Sequence, residues 1–296
     1  MNSRLLNKIL IKSSIIILLG IFFFGCSKEA STPSIPVTPP VPITPTSKNC
    51  YVASIAQVSN GSNKIDYAMT INFDFVNRPV KITLFDSVRK VKEYEAIFIY
   101  QSDAIKIGQL QSFKIDPTTQ QIRNFITKAD IADAKSDDYL YEYLYSDSGY
   151  LTSKNLYING TTNPVYSTFY TYDNTNLLIG CNMVLASSNT IIFESVITYE
   201  TTKEVKGGLY SFPDGFESYI FSSIFNYGRK MKYPVKSMVT KLYDGAGHNL
   251  LDTWTSTYGA YTFSTEGYMT GGTQSGDLQQ GFPLFYGKMS FTYNCW

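Results

Sequence analysis

Residues 139–151 read YLYEYLYSDSGYL. Tyr139, Tyr141 and Tyr143 alternate with Leu140 and Glu142, the period-two pattern of a strand. Ser146-Asp147-Ser148-Gly149 then breaks the alternation, and Tyr150-Leu151 resumes it. Short polar side chains hold such a turn, and a glycine takes positive φ without a Cβ clash. The stretch therefore reads as strand, tight turn, strand. Outward from it, Ile71-Asn72-Phe73-Asp74-Phe75 and Phe169-Tyr170-Thr171-Tyr172 alternate in the same way. An aromatic, a polar turn and an aliphatic strand start recur at Phe73 to Val80, Tyr172 to Leu177, Tyr243 to Leu250 and Phe263 to Met269. Tyr145, Tyr172 and Tyr199 stand 27 residues apart, as do Phe73 and Tyr100. Two strands and two turns need about this length.

The fold class that follows is all-β: one large, curved antiparallel meander over residues 50–296, open or barrel-like, with one short helix. The helix is expected where Phe216, Ile220, Phe221 and Ile224 recur at helical spacing before Gly228. Residues 128–138 are polar and fit a loop or a helical turn. Tyrosine, phenylalanine, isoleucine and threonine suit a pleated, half-buried surface, and all 24 tyrosines lie after residue 50.

Residues 1–25 hold Arg4, Lys8 and Lys12 and then an apolar run from Ile15 to Phe24. A spanning helix needs about 20 such residues, so this shorter run reads as a signal peptide. Phe23-Phe24-Gly25-Cys26 resembles a bacterial lipobox, with Phe23 where leucine is usual. Cleavage after Gly25 would leave Cys26 for acylation, and more than one acyl chain anchors stably. Ser27 after the cysteine implies, by resemblance to Gram-negative lipoproteins, sorting to the outer membrane. Residues 26–49 are a proline-rich tether, expected to be extended.

Together these features resemble a family of Bacteroidota envelope lipoproteins of unknown function. Their porin-like antiparallel sheet is built of hairpins resembling YD repeats. The residues that carry the likeness are Asn72-Phe73-Asp74 with Arg78-Pro79-Val80-Lys81-Ile82, then Asn226-Tyr227-Gly228-Arg229 through Val235. The hairpin from Tyr261-Thr262-Phe263 to Gly267-Tyr268-Met269-Thr270 is the third. Phe73 departs from the repeat's tyrosine. The resemblance implies a fold and an envelope location and brings no catalytic residue.

With Cys26 assigned to lipid, Cys50, Cys181 and Cys295 remain in an oxidising compartment. Cys50 opens the domain and Cys295 nearly ends it, so they are the expected disulfide, with pairings through Cys181 left open. Cys181 reads as a buried strand residue.

Chemistry is sparse. Lys+Arg 25 against Asp+Glu 24 gives no field for nucleic acid. The one histidine, His248, sits in a glycine-rich turn beside Asp244 and reads as a hairpin tip. No phosphate loop, nucleophile elbow or metal motif occurs. Cofactors and metals are therefore not expected. Asp137, Asp138, Glu194, Glu200, Glu204 and Glu217 are the carboxylates that would serve a hydrolase. Arg229-Lys230-Met231-Lys232 reads as a solvated basic loop, and Trp254 as packed between strands. The expected protein is a monomeric, lipid-anchored, non-catalytic binding or structural module of the cell envelope. Its partners would be the membrane through its anchor and a glycan or an envelope protein. The alternatives are a carboxylate-dependent hydrolase and a carrier of lipid or lipoprotein.

Overall fold

The computed structural model describes residues 50–58, 65–129, 137–208, 212–213, 224–246, 248–277 and 287–296. The strands are β1 (Cys50–Val58), β2 (Ile65–Phe73), β3 (Pro79–Asp86), β4 (Val91–Tyr100), β5 (Ala104–Ile107), β6 (Gln111–Ile115), β7 (Ile122–Thr127) and β8 (Tyr139–Tyr145). They continue as β9 (Leu151–Ile158), β10 (Tyr166–Tyr172), β11 (Leu178–Leu185), β12 (Thr190–Tyr199), β13 (Val235–Tyr243), β14 (Leu250–Phe263), β15 (Met269–Gly276) and β16 (Gly287–Cys295). Each pairs antiparallel with its sequence neighbour, and β1 pairs with β16, so the sheet closes into a barrel. Closure removes both sheet edges. Of the two expected architectures, open or barrel-like, the closed one forms.

Cys50 faces Cys295 in the β1–β16 register, and the two are joined by a disulfide. The bridge staples the seam where the chain closes on itself. Both termini of the barrel therefore lie at one rim. Because every strand reverses direction, the β2–β3, β4–β5, β6–β7, β8–β9, β10–β11, β12–β13 and β14–β15 connections share that rim. It is called the terminal rim below.

Four of those connections are the same turn. Asp74, Ser146, Asp173 and Ser264 each donate their N–H to the carbonyl four residues on and accept the N–H three residues on. The residue three on takes positive φ: Asn77 (65°), Gly149 (84°), Asn176 (64°) and Gly267 (93°). Asparagine reaches this region more easily than other side chains. That is why turns lacking glycine still form. The opening side chain finishes the turn: Asp173 Oδ1 accepts the N–H groups of Thr175 (2.8 Å) and Leu177 (2.9 Å).

The spaced tyrosines have one shared role. Each hairpin is joined at the opposite rim, so its two ends would splay at the terminal rim. There Tyr100 donates its hydroxyl to the carbonyl of Pro79 (2.8 Å), and Tyr145 to Ile122 (2.7 Å). Tyr172 donates to Leu151 (2.9 Å), Tyr199 to Leu178 (2.8 Å) and Tyr293 to Met269 (2.8 Å). Tyr261 donates to Val235. Every acceptor is the first residue of the strand paired with the tyrosine's own. Burial pushes the Tyr293 hydroxyl up to about 12, so it stays a donor at neutral pH. Phe73 ends β2 without a hydroxyl and packs edge-on against Trp296, with ring centres 5.4 Å apart.

The expected helix at 216–224 lies outside the described residues except for its end. Ile224 and Phe225 there form a turn and a bend, and both are buried. Most of the 128–138 stretch also lies outside them.

If the tyrosine hydroxyls clamp the hairpins, Tyr172→Phe and Tyr199→Phe should each lower the unfolding free energy by about 1 kcal/mol, the net worth of one hydrogen bond. Urea titration of the two variants checks this. Phe169→Leu, which removes a half-exposed ring, should change it by less than about 0.5 kcal/mol.

Candidate functional site: the plugged terminal rim

The faces of the barrel wall are unlike. Cross-strand registers place Ile55, Met69, Leu84, Ala96, Ile105, Phe113, Phe125, Tyr141, Tyr170, Cys181, Ile197 and Met238 on the inner face, and all are buried. The outer face carries charge and hydroxyls, with exposed apolar side chains among them at Ile97, Ile99, Leu144, Phe169 and Val196. Lys81 and Lys92 both meet Glu95 (2.6 and 3.1 Å), and Lys241 meets Glu194 (3.6 Å). Exposed hydroxyl pairs bridge strands at Ser54–Thr292 (2.7 Å), Thr198–Ser237 (2.6 Å) and Thr257–Ser275 (2.8 Å).

Wall side chains fill the inside of a barrel of about eight strands, and a sixteen-stranded one leaves a lumen. Here Phe212, Phe225, Tyr227 and Met231 of the β12–β13 connection turn inward against the wall. Phe225 packs on Phe98 and Phe113 with ring centres 5.2 and 5.0 Å apart. Tyr227 meets Tyr143 edge-on at 5.3 Å, and Phe212 meets Tyr170 at 5.3 Å. The N–H of Leu178 donates to the sulfur of Met231 at 3.1 Å. Tyr143 and Tyr227 are among the most completely buried side chains. The connection is a plug of the chain's own residues.

Its return is latched to the β8–β9 turn. Arg229 donates its backbone N–H to the carbonyl of Gly149 (2.9 Å) and its Nε to that of Ser148 (2.6 Å). Gln121 donates to Gly149 as well (3.3 Å), and the N–H of Ile122 reaches the carbonyl of Asn226 (2.9 Å). Gly228 makes the approach possible. Its φ is 92°, and a Cβ there would stand 2.5 Å from the Gly149 carbonyl oxygen. Cations strap the rest: Lys203 lies 4.3 Å over Phe263, Lys206 5.1 Å over Tyr268, and Lys232 pairs with Glu204 at 3.3 Å. The 229–232 stretch is therefore more than a solvated basic loop, because Met231 is buried and Arg229 is a latch.

The other residues singled out from sequence do not converge. Cys26 and Glu217 lie outside the described residues. Cys50 and Cys295 are bridged, and Cys181 is buried on the inner face of β11. His248 is exposed, stacks on Tyr243 (4.2 Å, 12°) and has Nδ1 3.3 Å from the carbonyl of Ile191. Asp244 caps that turn by accepting the N–H of Asn249 (3.0 Å). Glu194 accepts the Tyr243 hydroxyl (3.0 Å) on the outer wall. Glu200 accepts the N–H of Thr202 (3.2 Å) at the terminal rim. Asp138 pairs with Lys128 (3.0 Å), and Asp137 accepts from Asn159 (2.7 Å), both at the opposite rim. These carboxylates are capped or ion-paired at separate places on the surface. Among the described residues no group of histidine, cysteine and acidic side chains could hold a metal ion. Trp254 lies on β14 opposite Thr240, and Trp296 stacks on Tyr51 (5.3 Å, 12°).

No family model matches the chain, and no curated protein matches it. Solved structures do. A porin-like protein from Bacteroides vulgatus superposes with a TM-score of 0.54 at 13% identity, over 83% of this chain and 99% of that one. A porin-like protein from Bacteroides uniformis gives 0.55 at 12% identity, over 82% and 96%. At such identity the likeness is one of fold, and the fold shared is an antiparallel barrel.

Two turn carboxylates tie the barrel to pH. The backbone N–H of Thr119, and then Arg123, hold the Asp116 carboxyl well below the usual range. The backbone N–H of Arg89, outweighing desolvation, and the Arg89 side chain lower the Asp86 carboxyl from its ordinary value. A carboxyl lowered by folding contributes its full stabilisation above its unfolded pKa, about 4. That contribution fades as the pH falls through the lowered folded value. Asp116→Asn should therefore lower Tm at pH 7, and the gap to the parent should shrink steadily from pH 4 to pH 2. Thermal melts across that window check it.

Proposed function

We propose that this chain is a lipid-anchored cell-envelope protein whose barrel is a plugged, water-borne scaffold, a non-catalytic binding or structural module and not a pore. One observation carries the reading: the two faces of the wall have the polarity of a soluble barrel. A membrane-spanning barrel turns an apolar band outward and a polar lumen inward. Here Lys81, Glu95, Glu142, Glu194 and Lys241 stand on the outer wall between exposed apolar residues such as Ile97 and Val196, while the aromatic core lies inside with Lys154 and the Ser195–Thr240 hydroxyl pair buried in it. A lysine facing lipid at the bilayer midplane costs about 2–4 kcal/mol. The plug supports the same reading, since Phe212, Phe225 and Tyr227 stand inside the wall where an aqueous channel or a carried lipid would run.

The anchor rests on the sequence: a short apolar run, then Gly25-Cys26 and a proline-rich tether. Acylated Cys26 would hold the barrel at a membrane, with the outer membrane as the expected one. The ligand class is a glycan or another envelope protein met by the outer wall, where single exposed rings such as Phe169 stand among hydroxyl and amide side chains.

Metabolic labelling with palmitate, beside planar-bilayer recording of the purified protein, tests this. The protein should take label, lose it in Cys26→Ala, and give no steady conductance. An unlabelled protein would remove the anchor, and stable ion-conducting openings would remove the scaffold.

A further inference from the structure

The four identical turns at the terminal rim are internal controls for one another. Their two middle residues are Asp147-Ser148, Asn174-Thr175 and Thr265-Glu266 in three of them, and Phe75-Val76 in the β2–β3 turn. The turn geometry thus imposes no apolar residue at these positions. Phe75 is nonetheless 92% exposed, more than any other large apolar side chain described, and Val76 beside it is 40% exposed. The turn is also well built. Asp74 Oδ1 accepts the N–H groups of Val76 (3.0 Å) and Arg78 (2.9 Å), and Asp74 pairs with the Arg78 guanidinium at 2.8 Å. A firm backbone projects a phenyl ring that no described side chain covers.

The place of this turn is as telling as its composition. Phe73, at its root, touches Trp296 and Tyr51, and Tyr51 follows Cys50. The chain enters and leaves the barrel at this corner. The 23 residues between Cys26 and Cys50 would span about 70 Å as a polyproline helix, so an acyl anchor would confine the barrel near a bilayer without orienting it. Confinement at high effective concentration lets a weak contact set the orientation.

We infer that this corner of the terminal rim rests on the bilayer surface, with Phe75 and Val76 seated among the lipid headgroups. The inference builds on the proposed acylation of Cys26. Aromatic side chains with an apolar body and a polar edge settle at membrane interfaces, and Tyr51 and Trp296 supply two beside the tip. Arg78 is neutralised by Asp74 and lies 4.7 Å over the ring of Tyr100. The contact is therefore apolar and needs no anionic lipid. The opposite rim has exposed apolar residues of its own, among them Ile65 (48%), Val88 (69%), Val91 (43%) and Leu250 (56%), but it lies at the far end of the barrel from the chain entry, and Val88, the most exposed of them, sits in a turn held by Asp86 and Arg89 with Glu93 beside it. It serves as the control.

The test uses the full acylated protein on phosphatidylcholine vesicles whose acyl chains carry bromine. Trp254→Phe and Trp296→Tyr, the latter keeping an interfacial ring beside the tip, clear the tryptophan background, and Phe75→Trp or Val88→Trp adds one reporter. Emission from the Phe75→Trp protein should shift to the blue on vesicles and fall at least twofold with brominated lipid. The Val88→Trp protein should do neither, and added anionic lipid or salt should change neither result. Flotation with the vesicles, compared with Cys26→Ala, reads the anchor separately. A protein that floats but quenches equally at both positions would overturn the orientation while leaving the anchor in place. A protein that does not float would overturn both. A blue shift without lipid that grows with protein concentration would mean that a second copy covers the tip, and would overturn the membrane contact.

Discussion

Everything in this barrel depends on keeping an aromatic inner wall out of water. A barrel of sixteen strands cannot do that with wall side chains alone. Phe98, Phe113, Tyr143 and Tyr170 would border an open lumen if nothing stood against them. The β12–β13 connection supplies Phe212, Phe225, Tyr227 and Met231 as partners. Apolar burial stabilises by about 25 cal/mol for each Å² withdrawn from water. The plug and wall are thus one core, with no separate lid over a finished barrel. The charges and hydroxyls of the outer wall are the complement of this arrangement, with apolar side chains such as Ile97, Phe169 and Val196 scattered among them.

The rim is held by a different physics. A closed sheet has no edge to fray, but each hairpin still has an open end. The tyrosine hydroxyls close those ends with one directional bond apiece, and the disulfide closes the seam. Where the tyrosine is missing at Phe73, packing on Trp296 and the nearby bridge replace it. Where it is missing at Ile115, the N–H of that residue bonds the carbonyl of Asp103 (3.0 Å). The plug's return then borrows the same rim, because Arg229 and Gln121 bind the carbonyls of the β8–β9 turn.

Much of this was legible in the sequence. Alternation at 139–145 gave β8, and the turn at 146–149 gave its link to β9. The 27-residue spacing of Tyr145, Tyr172 and Tyr199 measured one hairpin. Cys50 and Cys295 pair as expected from their positions at the ends of a closing sheet. Other features could not be read. Closure depends on register summed over all strands, and no local pattern encodes that sum. The inner face was ambiguous because both faces of some strands are apolar, as in Ile97-Phe98-Ile99, where only Phe98 is buried. The bonds of the tyrosine hydroxyls could not be read, because their carbonyl partners stand 21 to 26 residues away in sequence. The plug was hidden because Phe225, Tyr227 and Met231 follow neither a strand nor a helix period.

The central claim is that the outer wall faces water and the inner wall does not. Nitroxide labels at Thr198→Cys and Lys241→Cys, on β12 and β13, report the surroundings of the outer wall directly. The accessibility of these labels in the vesicle-bound protein is the measurement. The account requires rapid relaxation by a water-soluble nickel chelate and little by oxygen dissolved in the lipid. Labels shielded from the chelate and relaxed by oxygen would place the wall in the bilayer and contradict it.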